Sequence, residues 1–289
     1  MPTITLADGR AYAFEEWGDP GGRLLFWMYG APGGRLARHS EPKVWERLGL
    51  RVVTLDRPGY GRSAELPGRL VAHIASDVAA VADHLGVDRF AVQGLSAGGP
   101  YALATAARLG DRVAACSVVC TVAPLDAAEE ASLSEINRES FRIVREEGRT
   151  GIARRLEAIR GQMLADAERS QRTFSADTSP EDLEWLSRPE VQQIAADNIR
   201  DSLRDGVTGW ADDVVALAPG QAWGFDPASI GCPTRFWHSA DDPSCPLPPA
   251  RRLADSIPDA AMTIWYDGGH TTPSRNAEAI LTDLLGVWR

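Results

Sequence analysis

Short apolar runs alternate with helix-patterned stretches through the first third of the chain. Ile4-Thr5-Leu6 and Tyr12-Ala13-Phe14 flank Asp8-Gly9, a pair suited to the left-handed conformations of a tight hairpin turn, which predicts two antiparallel strands. Residues 24–29 form a continuous apolar run, the pattern of a strand covered on both faces. Residues 51–55 form another, ending at Asp56, and residues 90–93 and 113–122 supply two more. Between them, residues 75–85 and the Ala-rich stretch 97–109 read as helices. Strands alternating with helices in this rhythm imply right-handed crossovers and a mostly parallel sheet.

From Asp126 to Ala218 the strand signal stops. Ile152, Leu156, Ile159 and Met163 are spaced for one helix face, and Val191, Ile194, Ala195 and Ile199 for a second. Arginine and glutamate crowd the other positions, as on solvated helix surfaces. The alternating rhythm resumes with a strand at 233–238, a helix at 248–257, a strand at 262–266 and a helix at 272–288. A helical block set inside a continuing α/β pattern suits a cap over the sheet's edge. The expected division is a core of residues 1–125 and 219–289 with a helical cap of residues 126–218.

Composition narrows the function classes. With 289 residues the chain can bury a large core without staples. A formal net charge of −10 argues against nucleic-acid partners, whose binding needs neutralising cations. No apolar run reaches the length of a membrane span, and residues 1–13 lack a basic start leading into an apolar stretch, so a cytoplasmic location with no membrane partner is expected. Cys116, Cys120, Cys232 and Cys245 include no Cys-x-x-Cys pair, which disfavours a zinc knuckle; reduced, buried, inert thiols are expected. Nothing in the sequence asks for a metal or a cofactor. Oligomeric state leaves no trace in it.

Gly94-Leu95-Ser96-Ala97-Gly98 is the segment richest in chemistry. Gly-x-Ser-x-Gly is weak evidence alone, but here an apolar strand runs into it and a helix leaves it without a gap. Such a turn strains the serine backbone, exposes its hydroxyl, and leaves no room for side chains at Gly94 and Gly98. Ala97 then stands at a helix N-terminus, where its amide can face a developing oxyanion. Ser96 is the candidate nucleophile. A second oxyanion donor should come from the loop after an earlier buried strand, Tyr29-Gly30-Ala31-Pro32-Gly33-Gly34-Arg35, and the Ala31 amide fits that part.

With these segments the chain resembles the α/β-hydrolase superfamily, and within it the branch carrying a His-Gly-x-Pro-Gly loop, to which esterases and proline-iminopeptidase-like enzymes belong. Asp56-Arg57-Pro58-Gly59-Tyr60-Gly61-Arg62-Ser63 is similar to that branch's Asp-x-x-Gly-x-Gly-x-Ser segment, a structural loop beside the pocket, and Trp223-Gly224-Phe225 also looks like the group. The resemblance spans nearly the whole chain and is weakest over 126–218. It implies an α/β-hydrolase fold: an eight-stranded, mostly parallel sheet flanked by helices, with an inserted helical cap. One position departs from it. Tyr29 stands where the family has the loop histidine, so altered loop packing is expected while the backbone donors are retained.

The fold's chain order is serine, acid, histidine. Of His39, His73, His84, His238 and His270, only His270 follows the next-to-last strand, behind Gly268-Gly269. His238 ends a strand and reads as structural. The family pattern sets the acid three residues before a small residue and Pro; Cys245-Pro246 fits, which selects Asp242, with Asp241 as a rival and Asp126 as a distant one. A serine nucleophile disfavours the aspartate-dependent epoxide hydrolases and dehalogenases of this fold. The expected reaction is hydrolysis of a carboxylic ester, or a related acyl bond, of a small molecule through an acyl-enzyme. A proline-iminopeptidase-like activity is the alternative. It needs cap carboxylates to hold an amino group, and Glu135, Glu139 and Glu157 are among those offered. A non-catalytic binding protein on the same scaffold is a further alternative. Trp185, Trp210 and Trp223 are candidates for an apolar acyl pocket or for ordinary packing.

Overall fold

The computed structural model describes residues 2–41, 43–174 and 180–288; Met1, Pro42, Arg289 and residues 175–179 of the helical block lie outside the described residues. Its eight strands are β1 (Thr3–Thr5), β2 (Ala11–Gly18), β3 (Arg23–Met28), β4 (Leu50–Leu55), β5 (Phe90–Leu95), β6 (Val113–Val119), β7 (Thr234–Ser239) and β8 (Ala260–Trp265), in the spatial order β1-β2-β4-β3-β5-β6-β7-β8. The hairpin partners β1 and β2 are antiparallel, as are β2 and β4; the other neighbours are parallel. The expected mostly parallel sheet of the α/β-hydrolase fold is therefore present.

Helices follow in the order α1 (Lys43–Arg47), α2 (Ile74–His84), α3 (Gly98–Leu109), α4 (Ala127–Ala131), α5 (Glu135–Ala165), α6 (Pro180–Leu186), α7 (Pro189–Ser202), α8 (Thr208–Leu217), α9 (Leu247–Asp255), α10 (Thr272–Arg275) and α11 (Ala277–Val287). On one face of the sheet α2, α3 and α9 bury Val78, Leu103 and Leu253 against Phe26 and Val92. On the other, α1 and α11 bury Trp45, Leu281 and Leu284 against Leu25 and Val52. Central strands covered on both sides carry mostly apolar residues on both faces, which is why their runs are nearly continuous rather than alternating. Among the described residues no helix is long and apolar enough to cross a membrane.

Between β6 and β7 the chain forms α4 to α8, with an apolar cluster of its own around Ile152, Leu156, Met163, Ile199, Leu203 and Trp210. The predicted helix faces are buried: Ile152, Leu156 and Met163 are at most 2 % exposed. Four details differ from the sequence pattern. The strand expected over 113–122 ends at Val119, because Cys120 turns into the left-handed region at φ 41°. The helix expected over 272–288 breaks at Asn276 into α10 and α11. Helix α5 starts well upstream of Ile152 and bends at Gly148 (φ 64°); its first half is too charged to show an apolar stripe. Helix α1, at five residues, is too short to show a period.

Topology gathers the chemistry at one edge. Strands β3 and β5 are adjacent, with Met28 opposite Gly94, so the loop after β3 and the turn after β5 must touch. Strands β6, β7 and β8 continue in register on that side, which brings the segments after β7 and β8 to the same carboxyl edge.

Candidate active site

Ser96 leaves β5 with φ 56°, a left-handed conformation that a non-glycine residue holds only when its surroundings enforce it. Its amide donates to Val119 O at 2.9 Å, while its carbonyl accepts from Gly99 N at 3.0 Å and Val122 N at 3.2 Å. The flanking glycines have the steric reason expected of them. A Cβ on Gly94 would stand 2.3 Å from Gly98 O, and one on Gly98 would stand 2.0 Å from Met28 O. Side chains therefore cannot occupy either position without moving backbone.

Gly30 faces the serine: a Cβ there would lie 3.2 Å from Ser96 Cβ and 3.6 Å from Oγ. Ala31 and Ala97 line the same cavity as Ser96. The Tyr29 ring packs edge-on to Trp27, with centroids 5.6 Å apart, and lies over Gly33, where a Cβ would approach its ring to 2.5 Å. The loop backbone is fixed from elsewhere: Arg57 donates to Tyr29 O at 2.6 Å and Gly30 O at 3.0 Å, and Asn198 of α7 accepts from Gly34 N at 3.0 Å.

After β7, Asp242 is buried and accepts from Ser244 N at 2.9 Å and Cys245 N at 3.0 Å through Oδ1. Its Oδ2 accepts from His270 Nδ1 at 2.7 Å. Burial pushes the Asp242 carboxyl up, but His270 and the backbone amides outweigh it and hold the group below its ordinary range. Burial pushes His270 down, while Asp242 outweighs that and lifts the imidazole above 6.5. An ionised Asp242 can only accept, so the imidazole proton sits on Nδ1 and Nε2 carries the lone pair. Asp241 is exposed. Asp126 caps α4, accepting from Glu129 N at 2.8 Å. His238 is buried and donates through Nε2 to Cys245 O at 2.7 Å.

Ser96 and His270 line one cavity of about 230 Å³. Ser96 and Cys245 line the same cavity, and a direct Ser96–His270 bond is absent among the described contacts. All four cysteines are free and buried, and burial pushes the Cys120 and Cys245 thiols up. Cys120, Asp242 and His270 place one potential ligand atom each within 4.8 Å of one another. A metal there would have to displace the proton shared by Asp242 and His270.

The rest of the cavity is mostly apolar and comes from the helical block, with Phe141, Leu156, Ile159, Met163, Ile199 and Val214 on its walls. Trp185 and Trp210 line it; Trp223 does not, being packed in the core against Phe225. Glu135, Glu139 and Glu157 also lie off the lining. The one carboxylate on the wall among the described residues is Asp213 of α8, and it is saturated. Arg57 and Arg69 each reach it at 2.6 Å, and the Tyr60 and Tyr101 hydroxyls donate to it. Burial pushes Asp213 up, yet the two guanidiniums outweigh it and bring it down to about 2. Sequence reading passed over Arg57, Asp213 and Asp182. The available signal was an acid pair, Asp212-Asp213, inside the apolar run of α8, since a charge on such a helix needs a buried partner.

Comparison with known proteins agrees with this fold. The family profile described as "alpha/beta hydrolase fold" matches residues 25–274. The chain belongs to the alpha/beta hydrolase family. This hydrolase is 28 % identical over 291 residues to a non-heme haloperoxidase of Rhodococcus erythropolis, covering 99 % of this chain and 98 % of the relative. It is 27 % identical to the bifunctional esterase/perhydrolase DCH of Acinetobacter calcoaceticus, over the full length of both. A solved thermophilic esterase from Thermogutta terrifontis superposes with a TM-score of 0.69 at 25 % identity, covering 100 % of this chain and 99 % of that one.

Proposed function

We propose that the protein is a serine hydrolase that cleaves a carboxylic ester, or a related acyl bond, of a small apolar molecule through an acyl-enzyme. The observation that carries this reading is the pairing of a left-handed Ser96 with the Asp242–His270 couple on one largely apolar cavity. In this mechanism a turn about χ1 brings Ser96 Oγ to His270 Nε2. The oxygen attacks the substrate carbonyl as Nε2 takes its proton, and Asp242 stabilises the imidazolium. The Ala31 and Ala97 amides hold the oxyanion. Nε2 then gives its proton to the leaving alcohol. A water, deprotonated by Nε2, attacks the acyl carbon and frees Ser96. The helical block, residues 126–218, serves as the cap that makes the acyl pocket, with Trp185 and Trp210 on its wall.

The cavity argues for neutral acyl substrates over amines. A free amino group needs an unsatisfied carboxylate, and Asp213 is already held by two arginines. The esterase-named relatives support the same choice. The test compares p-nitrophenyl butyrate with a proline naphthylamide on wild type and Ser96→Ala. Ester turnover that exceeds amide turnover and disappears in Ser96→Ala is the expected result; ester turnover retained in the variant overturns the nucleophile.

A further inference from the structure

The loop that faces Ser96 is gripped from behind by one guanidinium. Arg57 Nε and Nη2 hold Asp213 at 3.1 and 2.6 Å, which sets the plane of the rigid fork. In that plane Nη1 meets Tyr29 O at 2.6 Å and Nη2 meets Gly30 O at 3.0 Å. Gly30 O belongs to the same peptide unit as the Ala31 N–H. In a trans peptide these two groups point in opposite directions, so a partner that pins the oxygen also aims the N–H away from itself. Gly30 also faces Ser96, whose Cβ lies 3.2 Å from where a Gly30 Cβ would be. The same residue thus meets Arg57 through its carbonyl and Ser96 through its α-carbon.

We propose that Arg57 is a positioning residue that locks the Gly30–Ala31 peptide with its N–H directed at the oxyanion. The inference rests on Ser96 being the nucleophile. Arg57 has a second effect through the same amide: a charged donor on the carbonyl oxygen polarises the peptide and strengthens its N–H as a donor. Arg57 side-chain exposure is 3 %, so water does not compete for these carbonyls. Arg69 is the natural control. It shares Asp213 at 2.6 Å and is equally buried, yet its other bonds go to Tyr101 Oη and Gly209 O, and none reaches the loop.

The experiment measures p-nitrophenyl butyrate turnover per site titrated with a fluorophosphonate. It also measures inhibition by an alkylboronic acid, whose tetrahedral adduct on Ser96 puts an oxygen in the oxyanion position, and the melting temperature. Arg57→Met is expected to lower kcat about 30- to 100-fold with KM changed less than about threefold, somewhat under the loss of a whole oxyanion donor. Boronic acid inhibition should weaken by a similar factor. Arg69→Met should lower the melting temperature to a similar degree while kcat per titrated site stays within about threefold of wild type. Arg57→Lys keeps a charge beside Asp213 but cannot span both carbonyls, and should lose about fivefold or more in kcat. If Arg57→Met does not fold, Arg57→Lys decides by that criterion. Unchanged kcat and boronic acid inhibition in the Arg57 variants, or an equal kcat loss in Arg69→Met, overturns the lock. Activity retained in Ser96→Ala instead overturns the nucleophile and leaves the Arg57 question without an oxyanion to serve.

Discussion

The sheet and the helical block do different work at the same site. The sheet contributes the candidate catalytic groups through backbone geometry: a turn after β5, a loop after β3, and acid and imidazole segments after β7 and β8. The block contributes the apolar wall and, less expectedly, buried polar clamps. Asp213 sets the guanidinium that holds the Tyr29 and Gly30 carbonyls. Asn198 accepts from Gly34 N. Asp182, fully buried on α6, accepts from Gly269 N at 3.1 Å and from Arg275 Nε at 3.0 Å, beside His270. One region carries the proposed reacting groups, and the other holds the loops of the first in place.

Breaking the reacting region should have the largest effect. Ser96→Ala is expected to lower kcat by about 10⁴-fold or more, with the melting temperature little changed, because the side chain supports no packing. Asp242→Asn should cost about 10³- to 10⁴-fold in kcat, since the amide no longer enforces the productive tautomer. Ester hydrolysis assays with thermal melts read both.

Breaking the clamps should act first on stability. Asp213→Ala leaves two buried guanidiniums without their carboxylate and should cost about 3–5 kcal/mol in urea unfolding. The exposed pair Arg47–Glu278 is the contrast, and Glu278→Ala should change little. The sign with pH follows from a folded Asp213 at about 2 against an ordinary 3.8. Its stabilising share is full above 3.8 and fades as pH falls toward 2. Asp182→Asn keeps the shape but weakens the hold on the His270 loop, and should lower kcat about tenfold with KM unchanged.

The smallest effect is also the most specific to the His270 environment. Asp242 and Asp182 raise the imidazole against its burial, whereas burial holds the neighbouring His238 below its ordinary range. Nε2 must be unprotonated to act as base, so kcat/KM should climb with pH through a midpoint above 6.5. In Asp242→Asn the residual activity should show that limb shifted down by about one unit or more. An unmoved limb would detach His270 from the rate.

How far each region can be read from sequence follows the same division. Strands buried on both faces announce themselves as apolar runs, and Gly94, Gly98 and Ser96 are tied to one backbone turn, so the fold and the serine turn were legible. For the segments after β7 and β8, the family resemblance supplied the chain order and the acid pattern that Cys245-Pro246 fits, and these pointed at Asp242 and His270. The block's clamps were harder to read. The Asp212-Asp213 pair in the apolar α8 run asks for a buried partner, but nothing local says that the partner is Arg57, 156 positions away. Asp126 is the opposite case, since its cap partner is Glu129 of the same helix. Trp223 stayed open for the same reason as Asp213: its spacing could not distinguish a pocket wall from the core, and it packs in the core.

The central claim, that Ser96 is the acylated residue, is tested most directly by labelling the folded protein with a fluorophosphonate and mapping the adduct by mass spectrometry. The expected result is one adduct per chain, on Ser96, forming in step with loss of ester hydrolysis. No adduct on Ser96 while ester hydrolysis persists would contradict it.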